Sequence, residues 1–107
     1  MIVNNKRVEV SIIMSTYNNK EFIKKAIAGV LSQTYKKWEL IIIDDASTDN
    51  TASTVNIFLH KDRRIKYHRN NENLGLTKNL NKGIKMSQGT FIARIDSDDM
   101  WIDTSKL

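Results

Sequence analysis

Trp38-Glu39-Leu40-Ile41-Ile42-Ile43-Asp44-Asp45-Ala46-Ser47-Thr48-Asp49 is the stretch on which the fold turns. Its apolar run is short and rich in β-branched side chains, so residues 38–43 read as a buried strand. Two carboxylates begin where the apolar run stops, which places them at the carboxyl end of that strand. Ser47 or Asp49 can then cap a helix reaching about residue 59, with Val55, Phe58 and Leu59 inward. The same arrangement recurs late in the chain, where Phe91-Ile92-Ala93-Arg94-Ile95 runs into Asp96-Ser97-Asp98-Asp99.

Working outward, residues 8–15 read as a first strand and residues 16–19 as a turn. A helix is predicted over 20–33. There Phe22, Ala26 and Val30 form one i,i+4 series beside another of Ile23, Ile27 and Leu31. Residues 65–69 make a third strand, followed by an Asn-rich loop over 70–73. Gly75 opens a third helix carrying Leu76, Leu80 and Ile84, and residues 90–95 are the fourth strand. Alternation of this kind predicts an α/β fold: a mainly parallel, Rossmann-like sheet with helices on both faces. Right-handed crossovers make 3-2-1-4 the simplest strand order. A crevice then opens at the carboxyl ends of the strands, where the order reverses between strands 1 and 4. Residues 15–18, Asp44 with Asp45, and residues 96–99 converge on it.

The chain has 107 residues, enough for a single domain, and a net charge of +5. Its lysines are dispersed, partly as pairs (Lys24-Lys25, Lys36-Lys37), which suits a solvated surface or an affinity for phosphates and anionic membranes. No long basic run demands nucleic acid. Cysteine is absent, so disulfides and cysteine-based metal or redox centres are excluded. The apolar run at 12–14 is far shorter than the roughly 20 residues a membrane-spanning helix needs. The expectation is a cytoplasmic protein, with room for attachment at the inner face of the membrane.

Asp96 and Asp98 are two residues apart, and a turn can bring both onto one hard cation. Oxygen donors suit Mg²⁺ or Mn²⁺ rather than zinc, and such a cation would bridge to a diphosphate. The plainer reading is a helix cap or solvated turn. Adjacent carboxylates such as Asp44 and Asp45 repel, so burying both requires partners. A nucleobase N–H or a ribose hydroxyl would be one kind. Tyr17 can stack on a base or pack against the first helix. His60 and His68 flank the third strand, away from the crevice, and read as structural or surface residues. No Ser-His-Asp arrangement, P-loop or G-x-G-x-x-G fingerprint is present.

Five pieces in order resemble the N-terminal half of the inverting family 2 glycosyltransferases, which have a GT-A fold. They are residues 10–18 (VSIIMSTYN), 31–35 (LSQTY), 38–49 (WELIIIDDASTD), 73–75 (NLG) and 95–99 (IDSDD). The resemblance implies a nucleotide pocket lined by Ser15, Thr16, Tyr17 and Asn18. It implies that Asp45 accepts a hydrogen bond from the base and that Asp44 supports its loop. Asp96 and Ser97 would lie near the ribose and first phosphate, and Asp98, with Asp96, would hold Mn²⁺ or Mg²⁺. The implied partners are a nucleotide-diphosphate sugar, with a UDP-sugar expected, and a glycan or lipid-linked acceptor, as in bacterial cell-surface polysaccharide synthesis. Peripheral membrane association and self-association fit the same picture.

Ser15 stands where the family usually has proline, Ala46 where glycine is usual, Leu80 where many members carry arginine, and Asp103 where proline is common. The family's catalytic base would lie beyond Leu107, so residues 1–107 are expected to be a donor-binding portion of a longer domain. Two other readings stand beside this one. A receiver-like signalling domain also has an acidic metal pocket, though its acidic pair follows the first strand. A basic, non-enzymatic anion-binding module would leave both acidic clusters unexplained.

Overall fold

The computed structural model describes residues 8–95. Four strands and three helices alternate: β1 (Val10–Thr16), α1 (Lys20–Leu31), β2 (Trp38–Asp44), α2 (Thr51–Leu59), β3 (Ile65–Arg69), α3 (Leu76–Met86) and β4 (Phe91–Ile95). The sheet has the order β3-β2-β1-β4 and every pairing is parallel. This is the expected α/β topology.

Leu40, Ile41, Ile42 and Ile43 are all buried. β2 lies between β1 and β3 and is covered on both faces, so neither side of the strand needs polar residues. One face carries the main core. Val10, Ile12, Met14, Leu40, Ile42 and Ile65 pack there with Phe22, Ile23, Ile27 and Val30 of α1 and Val55 of α2. α3 covers the opposite face, where Gly83 sits over Ile13. A methyl group on Gly83 would stand 2.5 Å from Ile13 Cγ2, so the glycine sets how closely this helix approaches.

α3 does not turn Leu76 and Ile84 toward the sheet. Leu76 and Ile84 are 49% and 47% exposed, while Asn79 and Gly83 are buried against the sheet. A small residue and a polar one face inward because the helix lies close to the strands and meets polar partners there. Smaller differences are a β1 that begins at Val10 and includes Thr16, and an α1 that ends at Leu31. His68 lies within β3, exposed, rather than beside it. Neither Ser47 nor Asp49 is the N-cap of α2. Asn50 takes that position, and Asp49 Oδ1 accepts from the Thr51 amide at 3.0 Å just inside the helix.

At the amino end of the sheet, Glu39 is 1% exposed. Its Oε1 pairs with Lys66 Nζ at 2.5 Å. Its Oε2 accepts from Ser11 Oγ at 2.6 Å and from the Gln88 amide at 2.7 Å. Ser11 Oγ accepts in turn from the Gly89 amide at 2.8 Å. Beside this cluster, the Arg64 guanidinium stacks 3.8 Å from the Trp38 ring centroid.

Candidate nucleotide site at the carboxyl edge

Three described segments meet beyond the carboxyl ends of β1, β2 and β3. β1 ends at Thr16, and its carbonyl accepts from the Asp45 amide at 2.8 Å. Asn18 follows in a left-handed conformation, φ 47°, which asparagine tolerates better than most residues. Its amide donates to Ser47 Oγ at 2.8 Å. Its Oδ1 accepts from the Thr48 amide at 2.7 Å and the Asp49 amide at 3.2 Å. Asn18 therefore fastens the loop after β1 to the loop after β2. Ala46 is also left-handed, φ 66°, a conformation in which a Cβ is strained. That is the position where glycine is the usual family residue.

The two adjacent aspartates have separate fates. Asp44 is fully buried. Its Oδ1 accepts from the Ser47 amide at 2.9 Å and its Oδ2 from the Tyr67 hydroxyl. Burial and the neighbouring carboxylate push the Tyr67 hydroxyl well above its ordinary range, so it remains a donor. Asp44 thus holds the turn together from inside and presents no surface to a ligand.

Asp45 is 6% exposed and is held by three donors. Oδ1 accepts from the Leu74 amide at 2.7 Å and Asn70 Nδ2 at 3.1 Å, and Oδ2 accepts from the Gly75 amide at 3.1 Å. Gly75 has φ 91° and ψ 163°, a region open essentially only to glycine, and this turns its amide toward the carboxylate. Burial alone would raise the Asp45 pKa. The bonds from Leu74, Asn70 and Gly75, with Asn79 nearby, outweigh it and hold the group below the usual carboxylate range. At neutral pH Asp45 is therefore an anionic acceptor.

Ser15 Oγ accepts from Asn79 Nδ2 at 3.0 Å. The Thr16 hydroxyl is buried and has no hydrogen-bond partner among the described residues. Such a group costs free energy until something completes it. Tyr17 is 51% exposed, so its ring is not packed into the core and is free to meet a planar ligand. The structure thus brings Ser15, Thr16, Tyr17, Asn18, Asp44 and Asp45 to one edge. The expected contributions of Asp96, Ser97 and Asp98 lie outside the described residues. Asn70 and Asn79 were missed from the sequence. The signal available was Gly83: a glycine facing the sheet puts the residue four before it, Asn79, on the same face.

The open parallel sheet, its strand order and its acid-bearing carboxyl edge match those of solved GT-A-type glycosyltransferases. The sequence profile described as glycosyl transferase family 2 matches residues 11–106, and the chain belongs to that family.

Among its relatives is the Escherichia coli UDP-Glc:alpha-D-GlcNAc-diphosphoundecaprenol beta-1,3-glucosyltransferase WfgD. The two are 46% identical over 93 residues, covering 87% of this chain and 36% of that protein. The putative teichuronic acid biosynthesis glycosyltransferase TuaG of Bacillus subtilis is 38% identical, covering 86% of this chain and 36% of that protein. The structure is similar to S. aureus TarS 1-349 in complex with UDP-GlcNAc. The TM-score is 0.83 at 28% identity, over 92% of this chain and 29% of that one. It is also similar to the mannosyltransferase PcManGT of Pyrobaculum calidifontis, solved with GDP-Man and Mn2+. There the TM-score is 0.80 at 26% identity, over 89% of this chain and 29% of that one. The chain spans about a third of the length of the curated relatives it matches.

Proposed function

We propose that this chain is the donor-binding portion of an inverting glycosyltransferase. It binds a nucleotide-diphosphate sugar, a UDP-sugar, for transfer to a glycan or lipid-linked acceptor in bacterial cell-surface polysaccharide synthesis. The observation that carries the reading is Asp45: a buried, charged acceptor held by amide donors at the carboxyl edge of the sheet, beside a Thr16 hydroxyl with no hydrogen-bond partner among the described residues and an exposed Tyr17 on the neighbouring loop. An anionic acceptor suits the N–H of a base such as uracil, and an exposed aromatic ring suits stacking. The UDP-Glc-dependent activity of WfgD and the UDP-GlcNAc bound to TarS support the same substrate class.

Asp96 and Asp98 would hold Mn²⁺ or Mg²⁺, because a set of oxygen donors fits a hard divalent cation. The cation's contribution is to neutralise charge growing on the leaving diphosphate. The Mn2+ complex of PcManGT supports a divalent ion in this role. In this reading the base that activates the acceptor lies beyond Leu107. No helix among the described residues is long and apolar enough to cross a membrane. A lipid-linked acceptor would be met by peripheral association at the inner face of the membrane. Phe91 and Ile92 on the edge strand β4 are 66% and 46% exposed and would favour self-association.

Calorimetric titration with UDP tests the reading, run with Mn²⁺ and again with a chelator. Binding that requires the metal is expected. Equal binding in both arms removes the metal role of Asp98, and no binding in either removes the donor-binding reading.

A further inference from the structure

A buried carboxylate can read a ligand only if its oxygens are fixed in direction. Two asparagines that reach Asp45 from below fix them. Asn70, at the end of β3, is 2% exposed, and Asn79, on the inward face of α3, is 0% exposed. Asn70 Nδ2 donates to Asp45 Oδ1 at 3.1 Å and to Asn79 Oδ1 at 2.8 Å. Asn70 Oδ1 accepts from Lys82 Nζ at 2.8 Å. Asn79 Nδ2 donates to Ser15 Oγ at 3.0 Å, which anchors the chain of bonds on β1.

The Asn70 amide therefore has one allowed orientation. Turned over, its oxygen would face the Asp45 carboxylate and Asn79 Oδ1, and its NH₂ group would face the Lys82 ammonium. All three contacts would become repulsive. A carboxylate has about four acceptor directions. Two on Oδ1 and one on Oδ2 are taken by Asn70, Leu74 and Gly75, and Asn79 lowers the pKa of the same carboxylate as a further donor beside it.

We infer that Asn70 and Asn79 are positioning residues of the donor site: they hold the Asp45 carboxylate in one fixed orientation from which it meets the nucleotide. The site then selects a base that presents an N–H donor, as uracil does, over cytosine, whose ring nitrogen at that position is an acceptor. The inference rests on the donor-binding reading above. A merely space-filling role for the two asparagines would leave base selectivity untouched.

Two measurements on the full chain test it. One is the titration of the Asp45 carboxyl carbon by NMR without ligand. The other is the ratio of UDP to CDP affinity with Mn²⁺. Asn70→Ala and Asn79→Ala are compared with Val55→Ala, a core change on the opposite face of the sheet that loosens the fold without touching the network. In both asparagine variants the Asp45 titration is expected to move up toward the ordinary value, and the UDP:CDP ratio to shrink about tenfold, the loss of one bond to a charged group. Val55→Ala should change neither.

An Asp45 titration unmoved in folded Asn70→Ala and Asn79→Ala overturns the inference, as does an equal movement in Val55→Ala. A wild-type chain that binds UDP and CDP equally would overturn base reading by Asp45, while the titration still decides whether the asparagines position it. If Asn70→Ala does not fold, Ser15→Ala, which removes only the anchor of Asn79, is expected to shift the titration upward by less, and no shift counts against the inference.

Discussion

Of the three buried carboxylates on or next to β2, Glu39 near its amino end and Asp45 just past its carboxyl end are satisfied in opposite ways. Glu39 at the amino end meets a lysine, a hydroxyl and one backbone amide. Asp45, just past the carboxyl end, meets two backbone amides and one side-chain amide, with no cation on it. In both, burial pushes the pKa up and the bonded donors push it further down. The difference lies in what is left over. Glu39 has its charge balanced by Lys66 within the fold and is closed. Asp45, at the sheet edge, is held only by neutral donors among the described residues. A charge balanced internally is structure, whereas a charge held only by dipoles can still serve a ligand.

The largest expected effect breaks the closed end. Glu39→Ala should cost about 3 kcal/mol in urea unfolding, because it strips three bonds from one buried group. Lys66 is about a third exposed and can return to water, which keeps the loss from being larger. A loss below about 1 kcal/mol would mean that the amino-end cluster is no tighter than a surface pair.

At the open end the prediction is for binding. Asp45→Ala should weaken UDP by about 1.5–3 kcal/mol while leaving inorganic pyrophosphate with Mn²⁺ nearly unchanged. Equal losses for both ligands would move Asp45 from the base to the phosphates.

Acid sharpens the comparison further. Glu39 and Asp45 have folded pKa values below their ordinary 4.5 and 3.8. Each therefore contributes stability that is complete above those values and lost as pH falls through the lowered ones. Unfolding free energy should fall below about pH 4.5, and Glu39→Gln should flatten the part of the slope that Glu39 supplies. A wild-type profile flat from pH 5 to pH 3 would contradict both assignments.

The smallest effect concerns the loop between them and Asn18. Ala46→Gly should stabilise the chain by up to about 1 kcal/mol, since relief of left-handed strain outweighs the entropy of glycine. A loss on thermal unfolding would show that the strain is not borne at Ala46.

Much of the frame was legible because its signals are local. The run 40–43, short and rich in β-branched residues, reads as a buried strand. The two i,i+4 series of α1 gave its buried face, and the parallel order followed from alternation and handedness. The place of Asp45 at the sheet edge was legible because a strand ended just before it. The asparagines were not. Asn70 reads as one more residue of an Asn-rich loop, and its burial depends on Asn79, nine residues on, and on Ser15 in another strand. Leu76 and Ile84 do not mark the inward face of α3, because side-chain hydropathy does not register a helix whose buried face is a glycine and a hydrogen-bonded amide. Asp44 and Asp45 look alike in sequence. Only the pleat and the Gly75 turn separate an internal brace from an open acceptor.

The order of the strands also has a consequence in time. β1 is made first, yet it lies between β2 and β4, and its pairing with β4 waits for residues 91–95. The synthesis of the roughly 80 intervening residues takes about 4–16 s. For that interval an apolar strand edge with Val10, Ile12 and Met14 stands open on the nascent chain. Pulse proteolysis of ribosome-bound chains halted before and after residue 95 should find protection of β1 appearing only in the longer set. β4 is thus the strand that closes the open edge of β1.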